Sequence, residues 1–132
     1  MTHPVKAETT TPAPVKGLKI LLTGAGGFIG SHLAERLVAE GARVTCLIHY
    51  NALSSLGNLA HVDPEIRREL RIEFGNIEDG DHLIRLVEGQ DAVMHLAALI
   101  GIPFSYLSPR SYVKTNIEGT LNLLEAVRRC TT

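Results

Sequence analysis

The chain predicts an α/β fold, a Rossmann-type doubly wound parallel sheet with strand order 3-2-1-4. Three observations carry this. Short apolar runs alternate with helical stretches along the whole chain, the pattern of β-α-β units around a parallel sheet. The first apolar run, residues 18–23 (LKILLT), passes directly into Gly24-Ala-Gly-Gly-Phe-Ile-Gly30 and then into an amphipathic helix. A second apolar run, residues 43–48 (RVTCLI), follows on schedule. Right-handed crossovers then set the order of the strands.

Each element has its own reason. Residues 18–23 form an unbroken apolar run, as a strand buried on both faces does. Residues 31–40 follow with Ile29, Leu33 and Leu37 spaced by four, a helical stripe closed by Gly41. Residues 43–48 make the second strand, and residues 49–59, rich in Asn, Ser and Gly without a clear period, read as a loop. Asp63 caps and Pro64 opens a short helix. Residues 71–74 are the third strand. Residues 79–88 are a helix with Leu83, Ile84 and Val87 on one side, ended by Gly89. Residues 91–98 (DAVMHLAA) are the fourth strand, and residues 102–107 are expected to be a loop. Ser108 as N-cap and Pro109 as first helical residue open a long last helix, with Val113, Ile117, Leu121, Leu124 and Val127 as its apolar stripe. No fifth strand follows. The fourth strand is therefore expected at a sheet edge with a poorly covered apolar face, as in a truncated chain or one completed by a partner. Residues 1–16, dominated by Thr and Pro, are expected to be a disordered tail ahead of a partial dinucleotide-binding domain over 17–132.

The totals narrow the function classes. The 132 residues suffice for one domain, and 45% hydrophobic with 20% charged residues is an ordinary globular composition. A formal net charge of -1 offers no basic face to nucleic acid or to an anionic membrane. The two cysteines, Cys46 and Cys130, stand far apart, and no Cys/His cluster has zinc spacing, so no metal site is expected and a reducing, cytoplasmic setting fits best. The N-terminus lacks the apolar centre of a signal peptide. No apolar run approaches the ~20 residues that span a bilayer.

The glycines define the site. Gly24, Gly27 and Gly30 form G-x-x-G-x-x-G between a strand and a helix. Gly24 permits the tight turn, Gly27 lets a pyrophosphate approach the backbone, and Gly30 lets helix and strand pack closely. Gly26 adds freedom to the loop. The helix start, from Phe28 and Ile29 onward, offers N–H groups and a positive dipole end to phosphate. An acid that grips the adenosine ribose is expected at the end of the second strand, but the run there is Leu47-Ile48-His49-Tyr50-Asn51. His49 reads either as a residue facing a 2′-phosphate, which would favour NADP, or as a solvated loop residue. Asn76 after the third strand reads either as an acceptor for the adenine amino group, with the Ile77 backbone against the ring, or as a turn residue. His95 reads as a core histidine ahead of a catalytic one, because no Ser or Cys nucleophile has a matching spacing. Asn116 and Asn122 on the last helix read either as groups facing a cofactor or as packing residues.

The segments Thr23-Gly-Ala-Gly-Gly-Phe-Ile-Gly30-Ser-His, Gly75-Asn-Ile, His95-Leu-Ala-Ala98 and Thr115-Asn-Ile-Glu-Gly-Thr-Leu-Asn-Leu-Leu-Glu-Ala126 resemble the extended short-chain dehydrogenase/reductases, and more narrowly the NAD-dependent nucleotide-sugar epimerases and dehydratases. Residues 49–57, 99–106 and 111–113 look closest to the nucleotide-activated N-acetylglucosamine 4,6-dehydratases of legionaminic-acid pathways. The resemblance covers residues 18–130. It implies an NAD cofactor, a nucleotide sugar such as a UDP-N-acetylglucosamine-like substrate, and a homodimer in many members. It implies oxidation of the sugar at C4, loss of water across C5–C6 and return of the hydride to C6, with a Tyr-x-x-x-Lys tyrosine as the base. Carried over, it places Leu96, Ala97 and Ala98 along the cofactor, gives Asn116 a supporting role in proton relay, and sets Ile102 and Tyr106 beside the sugar. Two departures stand out. Tyr50, Tyr106 and Tyr112 are followed four residues on by Ser54, Arg110 and Asn116, so Tyr-x-x-x-Lys is absent, and the family's usual Asp is Asn76. The first expectation is therefore a cofactor-binding portion of a dehydratase-like enzyme, inactive alone. The alternatives are a portion of an epimerase or reductase, and a stand-alone dinucleotide-binding or sensing module.

Overall fold

Four apolar segments lie side by side in one parallel sheet: β1 (Lys19–Thr23), β2 (Arg43–His49), β3 (Arg71–Gly75) and β4 (Ala92–His95). Their order is β3-β2-β1-β4, as the sequence predicts. The structure is a computed structural model that describes residues 14–51, 53 and 55–130. Of the tail expected over 1–16, residues 1–13 lie outside the described residues, and Val15 packs against the core.

β1 sits between two hydrophobic layers, which is why its sequence is apolar without alternation. Ile20 and Leu22 point into one cluster with Ala34, Leu37, Val44 and Cys46. Leu21 points into the other with Leu83, Leu86, Leu123 and Ala126. The first layer is made by α1 (Phe28–Ala39), a single 3₁₀ turn at Gly57–His61 and α2 (Pro64–Glu69). The second is made by α3 (Gly80–Val87) and the end of the chain, α6 (Gly119–Cys130). Helices on both faces of a parallel sheet complete the doubly wound arrangement. Asp63 caps α2 by accepting from Glu65 N–H at 2.8 Å, and Asp79 caps α3 by accepting from His82 N–H at 3.0 Å.

The last third departs from expectation. Residues 102–107 are not a loop but a short helix, α4 (Ile102–Leu107), followed by α5 (Pro109–Tyr112), a π-type turn (Val113–Glu118) and α6. Ser108 does not cap with its side chain; its hydroxyl meets Ser111 Oγ at 2.6 Å. The stripe expected to be buried is mostly exposed: Val113, Ile117, Leu121 and Leu124 face outward, and only Val127 joins the core edge. The face that packs on α3 is Gly119, Leu123 and Ala126. Small residues let α6 approach closely; a Cβ on Gly119 would stand 2.6 Å from Ile77 Cδ1. α1 shows the same correction. It begins at Phe28 and buries Gly30, Ser31, Ala34, Leu37 and Val38, while Ile29 is 70% exposed.

β4 is shorter than expected and ends at His95, because the next backbone groups turn aside to bond Thr23. Its outer edge has no strand partner among the described residues, as expected. A groove of about 350 Å³ runs beside it, lined by Val93, His95, Leu123, Leu124 and Val127 among others. Among the described residues no helix is long and apolar enough to cross a membrane.

The two cysteines report on this packing. Cys46 is buried in β2, and burial pushes its thiol up to about 12, whereas Cys130 is exposed. A thiolate is the reacting species. A thiol reagent applied to the folded protein at mild alkaline pH therefore labels Cys130 promptly and Cys46 only after denaturant is added. Equal rates at both would contradict the buried central sheet.

Candidate functional site

The carboxyl ends of the strands open into a cleft of about 690 Å³. It lies where β1 is flanked by β2 on one side and β4 on the other, the point at which strand order reverses and where open α/β sheets bind ligands. β1 feeds the glycine turn onto one wall, and the chain leaving β4 forms the opposite wall.

The glycines divide the work. Gly24 has φ +70°, and a Cβ there would meet Ala97 N and Leu96 C at 2.7 Å each. Only glycine allows that turn and that contact. A Cβ on Gly30 would lie 2.1 Å from Gly24 O, so Gly30 is what lets α1 start directly against the turn. Gly27 has an ordinary φ of -76°, and a Cβ there would meet only Gly24 O, at 3.3 Å. The fold itself makes the weaker demand at Gly27, which lines the cleft, and this is the position where the motif admits a phosphate group. Gly26 is not on the cleft wall: it faces the other way, with Asn58 N–H donating to its carbonyl at 2.9 Å.

Phe28, Ile29 and Gly30 are the first three residues of α1, so their N–H groups have no carbonyl to bond within the helix. No side chain caps this end, and no acid stands in its first turn. α2 and α3 are each closed by their own aspartate. α1 instead presents a bare, positively polarised end to the cleft.

Most other expected residues are brought together there. His49, Asn76, Ile77, Leu96, Ala97 and Ala98 all line the cleft with Gly24, Gly27, Phe28, Ile29 and Gly30. Asn76 lines the cleft, and its Oδ1 accepts from Glu78 N–H at 3.0 Å, the turn role considered for it. Asn116 does not line the cleft but clamps Leu99, which does: its Oδ1 accepts from Leu99 N–H at 2.8 Å and its Nδ2 donates to Leu99 O at 2.9 Å. Asn122 donates to Ile77 O at 3.2 Å and Glu78 O at 3.1 Å, tying α6 to the loop after β3. Ile102 and Tyr106 are exposed on α4 and stand outside the cleft lining. Leu47, Gly75, Leu99, Ile100 and Thr115 also line the cleft and were not among the expected site residues. The first two lie within predicted strands or at their ends, so the end of each strand was the signal for them.

His95 is a half-buried network residue. Its Nδ1 lies 2.6 Å from Thr23 Oγ1 and its Nε2 3.1 Å from Thr120 Oγ1. Burial holds its pKa below the ordinary 6.5. The folded state thus binds a proton less readily than the unfolded chain. The stability that neutral His95 contributes is complete above pH 6.5 and is lost as pH falls from there through the lower folded value. Among the described residues no cluster of three or more His, Cys, Asp or Glu could hold a metal ion.

The glycine assignments separate under substitution. Gly27→Ala should fold with a near-normal urea midpoint and bind dinucleotide at least about tenfold more weakly, near 1.4 kcal/mol. Gly30→Ala should cost about 3 kcal/mol or more in stability, because backbone rather than a flexible side chain must move. Urea unfolding and calorimetric titration of the two variants check this, and equal loss of stability in both would contradict it.

Known proteins agree with this geometry. The family model for GDP-mannose 4,6 dehydratase matches residues 21–132. Protein CapI of Staphylococcus aureus is 34% identical over 84% of this chain. Among solved structures, DesIV of Streptomyces venezuelae, a dTDP-glucose 4,6-dehydratase with NAD bound, superposes with a TM-score of 0.75 at 32% identity, covering 87% of this chain and 37% of that one. The UDP-N-acetylglucosamine 4-epimerase of Methanobrevibacter ruminantium, in complex with UDP-N-acetylmuramic acid, gives 0.74 at 32% identity, over 88% of this chain and 36% of that one. The chain spans about a third of such proteins, 34% in the case of CapI. From this match and the fold, the chain belongs to the GDP-mannose 4,6 dehydratase family, among the NAD-dependent nucleotide-sugar epimerases and dehydratases.

Proposed function

We propose that this chain is the dinucleotide-binding portion of a nucleotide-sugar 4,6-dehydratase, and that it binds NAD without turning over a sugar by itself. The observation that carries this is the uncapped start of α1 at Gly27, opening into the cleft at the strand-order reversal. The pyrophosphate would rest on the N–H groups of Phe28–Gly30, with Gly27 giving it room. The adenine would lie between Asn76, Ile77 and the end of β2, and the nicotinamide side would run along Leu96, Ala97 and Ala98. His49 takes the place of a ribose-binding acid, which leaves room for NADP as a second ligand. When bound, the nicotinamide supplies hydride acceptance from the sugar and hydride return. The chain's residues do the holding and orienting.

A UDP-N-acetylglucosamine-like sugar of the legionaminic-acid type is the substrate class we favour, on the segments around residues 49–57 and 99–113. In that reading the sugar would extend from the Ala98 end of the cleft toward Ile102 and Tyr106, and Asn116 would support proton transfer through its hold on Leu99. A 4-epimerase portion is the second reading, favoured by a structural likeness to a 4-epimerase as close as that to a dehydratase. Both place the same groups around NAD. The proposed lack of turnover follows from the missing Tyr-x-x-x-Lys: without a lysine four residues after a tyrosine, the described cleft offers no base of that type for the sugar hydroxyl.

Calorimetric titration with NAD and NADP, followed by incubation with NAD and UDP-N-acetylglucosamine, tests both parts. The expected result is saturable one-to-one NAD binding and no 4-keto-6-deoxy sugar by mass spectrometry. No binding of either dinucleotide would overturn the cofactor assignment, and sugar turnover by the chain alone would overturn the inactivity.

A further inference from the structure

One line of hydrogen bonds crosses the domain from sheet to helix, and it has a single consistent set of proton positions. Thr23 Oγ1 accepts from Leu96 N–H at 3.1 Å and from Ala97 N–H at 3.2 Å. With both lone pairs engaged, its own proton must go to His95 Nδ1, 2.6 Å away. A ring nitrogen that accepts carries no proton, so the neutral imidazole keeps its proton on Nε2, which donates to Thr120 Oγ1 at 3.1 Å. The Thr120 hydroxyl donates onward to Asn116 O at 2.7 Å. Asn116 in turn brackets Leu99 with both ends of its side-chain amide. The line therefore begins and ends on Leu96, Ala97 and Leu99, three residues of one cleft wall.

We propose that His95 is a positioning residue of the dinucleotide cleft: as a neutral Nε2–H imidazole it locks the Leu96–Leu99 strip against β1 and α6, and its protonation releases that strip and weakens dinucleotide binding. The proposal rests on the dinucleotide reading above. The physical step is a conflict of donors. Once Nδ1 carries a proton it faces an oxygen whose lone pairs are both taken. Thr23 then has to turn its hydroxyl proton elsewhere and give up an N–H, and Ala97 is the one freed, because Leu96 N–H also holds Thr23 O at 3.3 Å. Ala97 N and the Leu96 carbonyl lie where a Cβ on Gly24 would fall, so the release reaches the turn that opens the phosphate site.

The surroundings offer the imidazolium no compensation. From β1 the partner is Thr23, and from α6 it is Thr120, both neutral. On the groove beside β4 the other ionisable groups are Asp91, whose carboxylate is engaged by Lys19 N–H, and Cys130. Burial is the cause of His95's lowered pKa, with no charged neighbour contributing. His49 also lines the cleft and is the same in the wild type and in a His95→Asn variant.

Nitrogen-detected NMR of the histidine rings in the full chain tests the lock without any ligand. His95 should show a pyridine-type Nδ1 and a pyrrole-type Nε2, and it should protonate only below pH 6.5. The amide signals of Leu96, Ala97 and Leu99 should move with the same midpoint. For NAD, the dissociation constant should rise about tenfold between about pH 7.5 and pH 5 in the wild type, and less than about twofold in His95→Asn. The asparagine oxygen keeps an acceptor for Thr23 and cannot titrate. An Nδ1–H tautomer, or wall amides indifferent to the ring's titration, would overturn the proposal, as would full pH dependence in His95→Asn. Should that variant fail to fold, the ring and amide titrations of the wild type decide alone. Failure of the wild type to bind NAD at any pH would sink the dinucleotide reading, and with it the binding half of the proposal, while the ring and amide data still decide whether the lock exists.

Discussion

The cleft depends on one close approach, that of the end of β1 to the chain leaving β4. Parallel pairing sets Thr23 opposite His95. From there Gly24 turns back with a positive φ, so near to Leu96 and Ala97 that any side chain would strike their backbone. Thr23 then gathers the N–H groups of Leu96 and Ala97 onto its hydroxyl. This contact ends β4 early, sets the distance between the two walls, and aims the start of α1 into the gap. A substitution that held β1 and β4 farther apart would leave every strand in place and still spoil the site.

The cleft itself carries little charge. Of the residues that line it, His49 is the one with an ionisable side chain. Affinity for an anion there must come from N–H groups and from the aligned peptide dipoles of α1, which are worth more in a partly enclosed wall than in open water. The nearest ion pair is peripheral: Glu78, beside the loop after β3, is held by Thr115 Oγ1 at 3.2 Å and Lys114 Nζ at 3.6 Å. That pairing fixes a loop against the last helix and leaves the cleft neutral. Asn122 donates to the same loop and Gly119 packs on its Ile77, so the Ile77 end of the cleft is set by the last helical stretch, as is the Leu99 wall through Asn116.

The sheet was legible because its signals are redundant. Each strand is a short apolar run, each is followed by a helix with a glycine or an aspartate at an end, and the glycine turn falls between the first two. Asp63, Asp79 and Pro64 marked helix starts that the structure bears out. The failures share a cause. Helices that press on a sheet do so through small residues, and a search for large apolar side chains passes over Gly30, Ser31 and Ala34 in α1 and Gly119 and Ala126 in α6. Of the leucines of α6, Leu121 and Leu124 face outward and Leu123 alone is buried. α4 went unseen because Ile-Pro-Phe-Ser-Tyr-Leu buries none of its residues and has no capping side chain. Asn76 and Ala97, which leave the ends of β3 and β4, line the cleft. Asn116 was harder, since its side chain bonds Leu99, seventeen positions away, and no local spacing encodes that bond.

The measurement that reaches the central claim most directly is amide chemical-shift mapping of the chain during titration with ADP-ribose, the part of the dinucleotide that carries the pyrophosphate. If the uncapped start of α1 is the pyrophosphate seat, the largest shifts fall on the N–H groups of Phe28, Ile29 and Gly30, with a second set at Asn76 and Ile77. Shifts confined to the groove beside β4, around Val93, Leu123 and Val127, or none at saturating ligand, would contradict the account.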